Sequence, residues 1–172
     1  TLPLTDPKFG AVLNGAGSLS ASMPLRSPQA SRAIISPGRT AIHVYRDRVP
    51  VWAGIVWGVQ VTLVGGAEQL KLDAADFWSP FLKGSDTGRF IRHDKTYTAI
   101  DQLTIARDLV DYAQDQSQHG VMVPIGVGTS GTNTSGVTRT VEYPAEDFKP
   151  VGEAVVELAE KDDGFDFRIA LS

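Results

Sequence analysis

"TAIHVYRDRVPVWAGIVWGVQVTLVGGAEQLKL", residues 40–72, decides how this chain is read. β-branched and aromatic residues fill it, two short breaks interrupt it, and its apolar side chains fall on both faces of any strand it forms. "RDRVP" offers a hairpin connection between strands at 40–46 and 51–63. Gly65 and Gly66 then turn the chain into a short alternating strand at 69–72, which returns beside Val59 to Leu63. Period two sets Val51, Ile55 and Trp57 on one face, expected to pack inward beneath a helix. Trp52 and Val56 occupy the other face and need cover of their own, for which a neighbouring subunit is the simplest source.

Towards the N-terminus, residues 1–37 carry Pro3, Pro7, Pro24, Pro28 and Pro37 and read as an extended leader with one strand. In that strand Leu19, Ala21 and Met23 alternate with Ser18, Ser20 and Ser22. Towards the C-terminus, "DAADFWSPFLKG" reads as a helix of about two turns with Asp73 as N-cap and Pro80 as its limit. "GRFIRHDKTY" reads as a strand or extended arm. The period then becomes helical: Ile100, Leu103, Ala106, Val110 and Ala113 form a stripe, Thr98 and Asp101 match a relaxed capping box, and a helix is expected near 98–117. A second helix, near 150–162, opens at Pro150 and carries Val151, Ala154, Val155, Leu158 and Ala159 on one side. "FDFRIALS" restores period two and predicts a terminal strand with Phe165, Phe167, Ile169 and Leu171 on one face.

These elements predict an α+β protein, mainly an antiparallel β-barrel or strongly curved sheet with two amphipathic helices packed on it. The expected division is a leader and first strand at 1–37 and a barrel-like domain at 38–172. The chain opens without Met and stops at the end of a strand-like segment, so it is expected to be the N-terminal part of a longer polypeptide. At 172 residues with 42% hydrophobic and 21% charged residues, it has the composition of a soluble globular protein that needs no staples. It has no Cys, which excludes disulfides and thiolate metal sites. A net charge of −4 without any basic cluster disfavours nucleic-acid binding, and no apolar run approaches the roughly 18 residues that span a bilayer.

The motifs that could carry chemistry each lack a part. "GVGTSG" at 126–131 matches a dinucleotide fingerprint, but "TNTSGVTRTVEY" follows it and cannot open the helix whose amides would hold a pyrophosphate. The segment 126–137 reads instead as a polar connection whose ordering costs about 1–2 kcal/mol per residue in backbone entropy. Mobile alone, it would be ordered by a partner, so Gly128, Thr129, Ser130, Gly131, Thr132, Asn133, Thr134 and Ser135 join Trp52 and Val56 as candidate assembly residues. His43, His93 and His119 have no metal-ligand spacing, and His43 reads as a packed strand residue. Asp162, Asp163 and Asp166 lack the pattern of a calcium loop and read as a helix end and a solvated face. No nucleophile elbow is present, and no catalytic, cofactor or metal-binding residue is expected. One competing reading makes Trp52, Trp57 or Trp78 the platform of a cell-wall carbohydrate-binding or hydrolytic module.

Five stretches, taken in order, resemble the N-terminal region of the hub or minor tail proteins of long-tailed phages infecting actinobacteria. They are "LNGAGSLSASMPL", "PGRTAIHVYRDRVPVWAGIVWGV", "LDAADFWSPF", "DQLTIARDLVDYAQ" and "KPVGEAVVELAEKDDGFDFRIAL", spread from about residue 11 to 171. The resemblance implies a β-barrel with a helix and a homo-oligomeric ring, generally a trimer, at the tail tip of the virion. It also implies contacts with the distal tail protein, the tape measure and other tail-tip proteins, and no active site. A closely allied alternative is the distal tail ring protein. In such a ring the acidic charge would let DNA slide through the channel without sequence-specific binding.

Overall fold

The computed structural model describes residues 2–31, 33–82, 89–115 and 133–171. It divides into two compact units, Thr1–Trp78 with Arg168–Ser172 and Ser79–Phe167. The division therefore falls after Trp78 and not at the expected boundary after residue 37, because the leader's strands belong to the same sheet as the hairpins that follow.

The first unit is an antiparallel sheet of five strands, strongly curled into a half-barrel. Its strands are β1 (Thr5–Gly10), β2 (Ser18–Pro24), β3 (Ala41–Arg46), β4 (Val49–Val64) and β5 (Ala67–Asp76), in the order β1-β2-β5-β4-β3. Both expected hairpins form, each through a two-residue turn with both central residues at positive φ. Asp47 and Arg48 (φ 51° and 68°) join β3 to β4, and Gly65 and Gly66 (φ 57° and 80°) join β4 to β5. Such turns twist in the sense of the strands they connect, which explains the choice of glycine at 65–66.

The inner face is built in rungs across three strands. Leu19, Ala74 and Val56 lie side by side, then Ala21, Leu72 and Val59, then Met23, Leu70 and Val61. On β5 and β2 these residues are spaced by two, but on β4 the step from Val56 to Val59 is three, because Trp57 is extruded as a β-bulge. One extra residue reverses the parity of β4, so Trp52, Gly54 and Val56 face inward before the bulge and odd-numbered residues after it. Ile35, from the β2–β3 connection, enters the same core with Ile42 and Trp52. Burying each aliphatic side chain there contributes about 1.5–3 kcal/mol.

"DAAD" continues β5 and does not begin a helix: Asp73 sits in the ladder between Ser20 and Gly58. The capping part passes to Asp76, whose Oδ1 accepts the Trp78 N–H at 2.9 Å while Oδ2 accepts the Gly17 N–H at 2.7 Å. Phe165–Leu171 also departs from expectation, since it joins neither sheet.

The second unit holds α1 (Ser79–Leu82), β6 (Lys95–Asp101), α2 (Gln102–Asp115), β7 (Thr138–Tyr143) and α3 (Val151–Ala159). β6 and β7 pair antiparallel, and α3 packs against both α1 and α2. The expected start of the first long helix near 98 is four residues early. Thr96, Tyr97, Thr98 and Ile100 favour strand, and they continue the β6 ladder to Asp101, which caps α2 in place of Thr98 through Oδ1 and the Leu103 N–H at 3.0 Å. The side-chain amide of buried Gln102 is satisfied at both ends: Nε2 donates to the Asp163 carbonyl and Oε1 accepts from Arg139 Nε. In α3, Gly152 lets α1 approach closely, because a Cβ there would sit 2.7 Å from the Phe81 carbonyl carbon and 2.8 Å from the Leu82 nitrogen. Gly54 does the same on β4, where a Cβ would lie 2.2 Å from the Ala75 oxygen.

Because backbone atoms cannot step aside as side-chain ends do, Gly152→Ala and Gly54→Ala are each expected to lower the free energy of unfolding by about 1–3 kcal/mol in urea titrations. Gly10→Ala, where the new Cβ meets nothing within 4 Å, is expected to leave it within about 0.5 kcal/mol.

Candidate functional site

Trp52 and Val56 are walls of the chain's own core. Val56 is fully buried and Trp52 is 5% exposed, both within the apolar cluster that holds Leu19, Met23 and Leu72. The Trp52 indole lies over Gly54, whose missing side chain leaves it room, and its Nε1 donates to the Gly10 carbonyl at 3.3 Å. The cover expected from a neighbouring subunit is thus supplied internally. The inward and outward assignments also change: Ile55 is buried as expected, but Val51 is 39% exposed and Trp57 only half-buried. Trp78 is buried too. Two of the three tryptophans of the carbohydrate reading are therefore withdrawn from any surface platform.

The uncovered apolar surface lies further along β4. Beyond the bulge, Val61, Leu63 and Val64 are 56%, 71% and 55% exposed. Val61 lines a cleft of about 520 Å³ together with Leu25, Ile35, Pro37, Val59 and Leu70. The inner face of the half-barrel thus runs on past its own filling towards the Gly65-Gly66 turn. The signal was present in the sequence as the odd-numbered series Val59, Val61 and Leu63, but its side depends on a bulge that period counting does not reveal.

Of the polar candidates, Gly128, Thr129, Ser130, Gly131 and Thr132 lie outside the described residues, as do His119 and the rest of "GVGTSG". Asn133, Thr134 and Ser135 are exposed, and the chain itself holds Asn133 and Ser135. Asp101 Oδ2 accepts the Ser135 N–H (2.8 Å), the Ser135 hydroxyl (2.9 Å) and the Gly136 N–H (2.9 Å), and Arg107 Nη1 donates to the Asn133 carbonyl at 3.0 Å. Desolvation acts to raise the Asp101 carboxyl. The hydroxyl of Ser135 and the N–H groups of Leu103, Gly136 and Ser135 outweigh it and hold the group below the usual carboxylate range.

A second polar cluster locks β6 to α2. Asp108 Oδ2 accepts Lys95 Nζ at 2.7 Å and the Tyr97 hydroxyl at 2.5 Å, and Lys95 Nζ sits 4.4 Å from the centre of the Tyr112 ring. Burial first, then the bond to Asp108, push the Tyr97 phenol well above its ordinary range. Burial and then the Glu157 charge push Tyr143 up to about 12. These groups hold protons tightly and join elements together.

His43 lies on β3 as expected, yet exposed and not packed, stacked on Tyr45 with ring centres 6.4 Å apart. Asp162 and Asp163 are exposed beyond the end of α3, and their carbonyls accept from Arg139 and Gln102. Among the described residues no three His, Cys, Asp or Glu side chains converge as a metal site, and no helix is long and apolar enough to cross a membrane. Arg89, 7% exposed, lays its guanidinium 4.3 Å from the centre of the Phe81 ring. No protein-family model matches the chain, and no curated protein matches it significantly.

Asp101 generates a pH-dependent prediction. Its folded pKa lies below the unfolded value of about 3.9, so its contribution to stability is present above that pH and lost as pH falls through the folded pKa. Asp101→Ala is expected to lower the melting temperature at pH 7 and to speed amide exchange at Ser135 and Gly136, with the gap from the unmodified chain narrowing below about pH 4.

Proposed function

We propose that this chain is a structural subunit of a phage tail tip, forming the homo-oligomeric hub ring that joins the tail tube and the distal tail protein to the receptor-binding apparatus. A trimer is the expected stoichiometry, the virion tail tip the expected location, and the part played is that of a wall and not of an enzyme. The resemblance of five ordered stretches to the hub family supplies the identity of the assembly. One observation supports the reading physically: the apolar inner face of the half-barrel continues to Val61 and Leu63, which the described residues leave 56% and 71% exposed. A contiguous apolar patch of this kind marks an interaction surface more often than a free one. The 520 Å³ cleft beside it gives such a contact shape as well as area.

A net charge of −4 agrees with a channel wall that repels phosphates and lets DNA pass. The carbohydrate-module reading has no comparable support, because Trp52 and Trp78 are buried. The distal tail ring protein shares the same physics and differs in copy number, which a class average of the assembled tail tip would separate.

At micromolar concentration the purified chain is expected to self-associate in size-exclusion chromatography with light scattering. Leu63→Asp should shift it to monomer without changing its circular dichroism. A monodisperse monomer for the unmodified chain, or salt-sensitive nanomolar binding to duplex DNA, would count against the reading.

A further inference from the structure

β4 outruns its neighbour at one end. Val49, Pro50, Trp52 and Ala53 pair with β3, but β5 ends at Asp76, opposite Gly54, so beyond Gly54 the other side of β4 has no ladder among the described residues. Val56 donates its N–H to the Thr40 carbonyl and accepts from Gly38, both towards the β3 side. Backbone groups of successive residues in an antiparallel strand point to opposite sides, so Gly54 and Trp52 also face β3, while Ala53 turns its N–H and C=O the other way. Ala53 is only 3% exposed, and an unmade backbone hydrogen bond in such a place is costly.

The space these groups face is a cleft of about 250 Å³. Pro50 to Ala53 form one wall, and Asp76 with Arg168 to Leu171 form another. A cleft of this size admits water between the two segments, which are neighbours but not zipped. Arg168–Leu171 belongs to the first unit, joins neither sheet, and alternates half-buried Ile169 and Leu171 with exposed Arg168 and Ala170. That alternation is what a ladder requires of a strand with one face inward.

We propose that Arg168–Leu171 is a clasp strand for this slot. It moves in along the line that β5 vacates after Asp76, accepts the Ala53 N–H, and expels the water between. Pro50 has no N–H, so the ladder stops short of the Asp47-Arg48 turn. The inference is independent of the tail-tip reading.

Amide exchange followed by NMR on the full chain tests it, with Ile169→Pro and Ala170→Pro as variants, since proline at either position removes an N–H and disturbs a strand there. The Ala53 amide is expected to exchange at least tenfold faster in either variant than in the unmodified chain, with the Val56 amide unchanged as the control for an intact sheet. Equal Ala53 exchange in all three chains overturns the proposal. So does protection of Ala53 that grows with protein concentration, because the strand would then come from a second copy. If one variant fails to fold, the other carries the same comparison.

Discussion

The half-barrel depends on one residue that does not fit its ladder. β4 runs for sixteen residues and could not keep a single apolar face inward over that length by alternation alone, given the sequence it has. Extruding Trp57 lets Trp52 and Val56 serve the core from even positions and Val59 and Val61 from odd ones, opposite an uninterrupted Leu70, Leu72 and Ala74 on β5. A bulge also sharpens the local twist, so the feature that rescues the packing helps produce the curl. Without it, one half of β4 would carry its valines to the wrong side, and the rungs with Met23 and Ala21 would be lost.

Much of this was legible in the sequence, for physical reasons that can be named. Gly65-Gly66 marks a turn because both positions need positive φ, and the Leu19, Ala21, Met23 series marks a half-buried strand because nothing interrupts its period. The stripes of α2 and α3 were visible at helical spacing. The bulge was not, since period two describes each half of β4 equally well and only the partner strand reveals the change. For the same reason Trp52 and Val56 were assigned to a surface awaiting cover, when they line the core. Strand β6 reached Asp101 because its β-branched and aromatic residues had a partner in β7, a tertiary contact that local helical periodicity cannot register.

The candidate site was less legible than the fold. Asn133, Thr134 and Ser135 look like unstructured polar linker by composition, and the fixation of Ser135 comes from a carboxylate more than thirty positions earlier in the chain. The apolar surface that supports an assembly role was hidden by the same bulge. The polar side chains that the structure organises join elements. Gln102 bridges Arg139 to the Asp163 carbonyl, Asp76 binds the amides of Gly17 and Trp78, and Asp108 gathers Lys95 and Tyr97.

Asp101 brackets a stretch of sequence. One oxygen starts α2 through Leu103, and the other seizes the chain again at Ser135 and Gly136, just before β7. Leu103 and Ser135, thirty-two positions apart, therefore share a single anchoring side chain. One carboxylate thus staples the first turn of α2 to the residues that lead into β7, at the end where Asp101 of β6 pairs with Thr138 of β7.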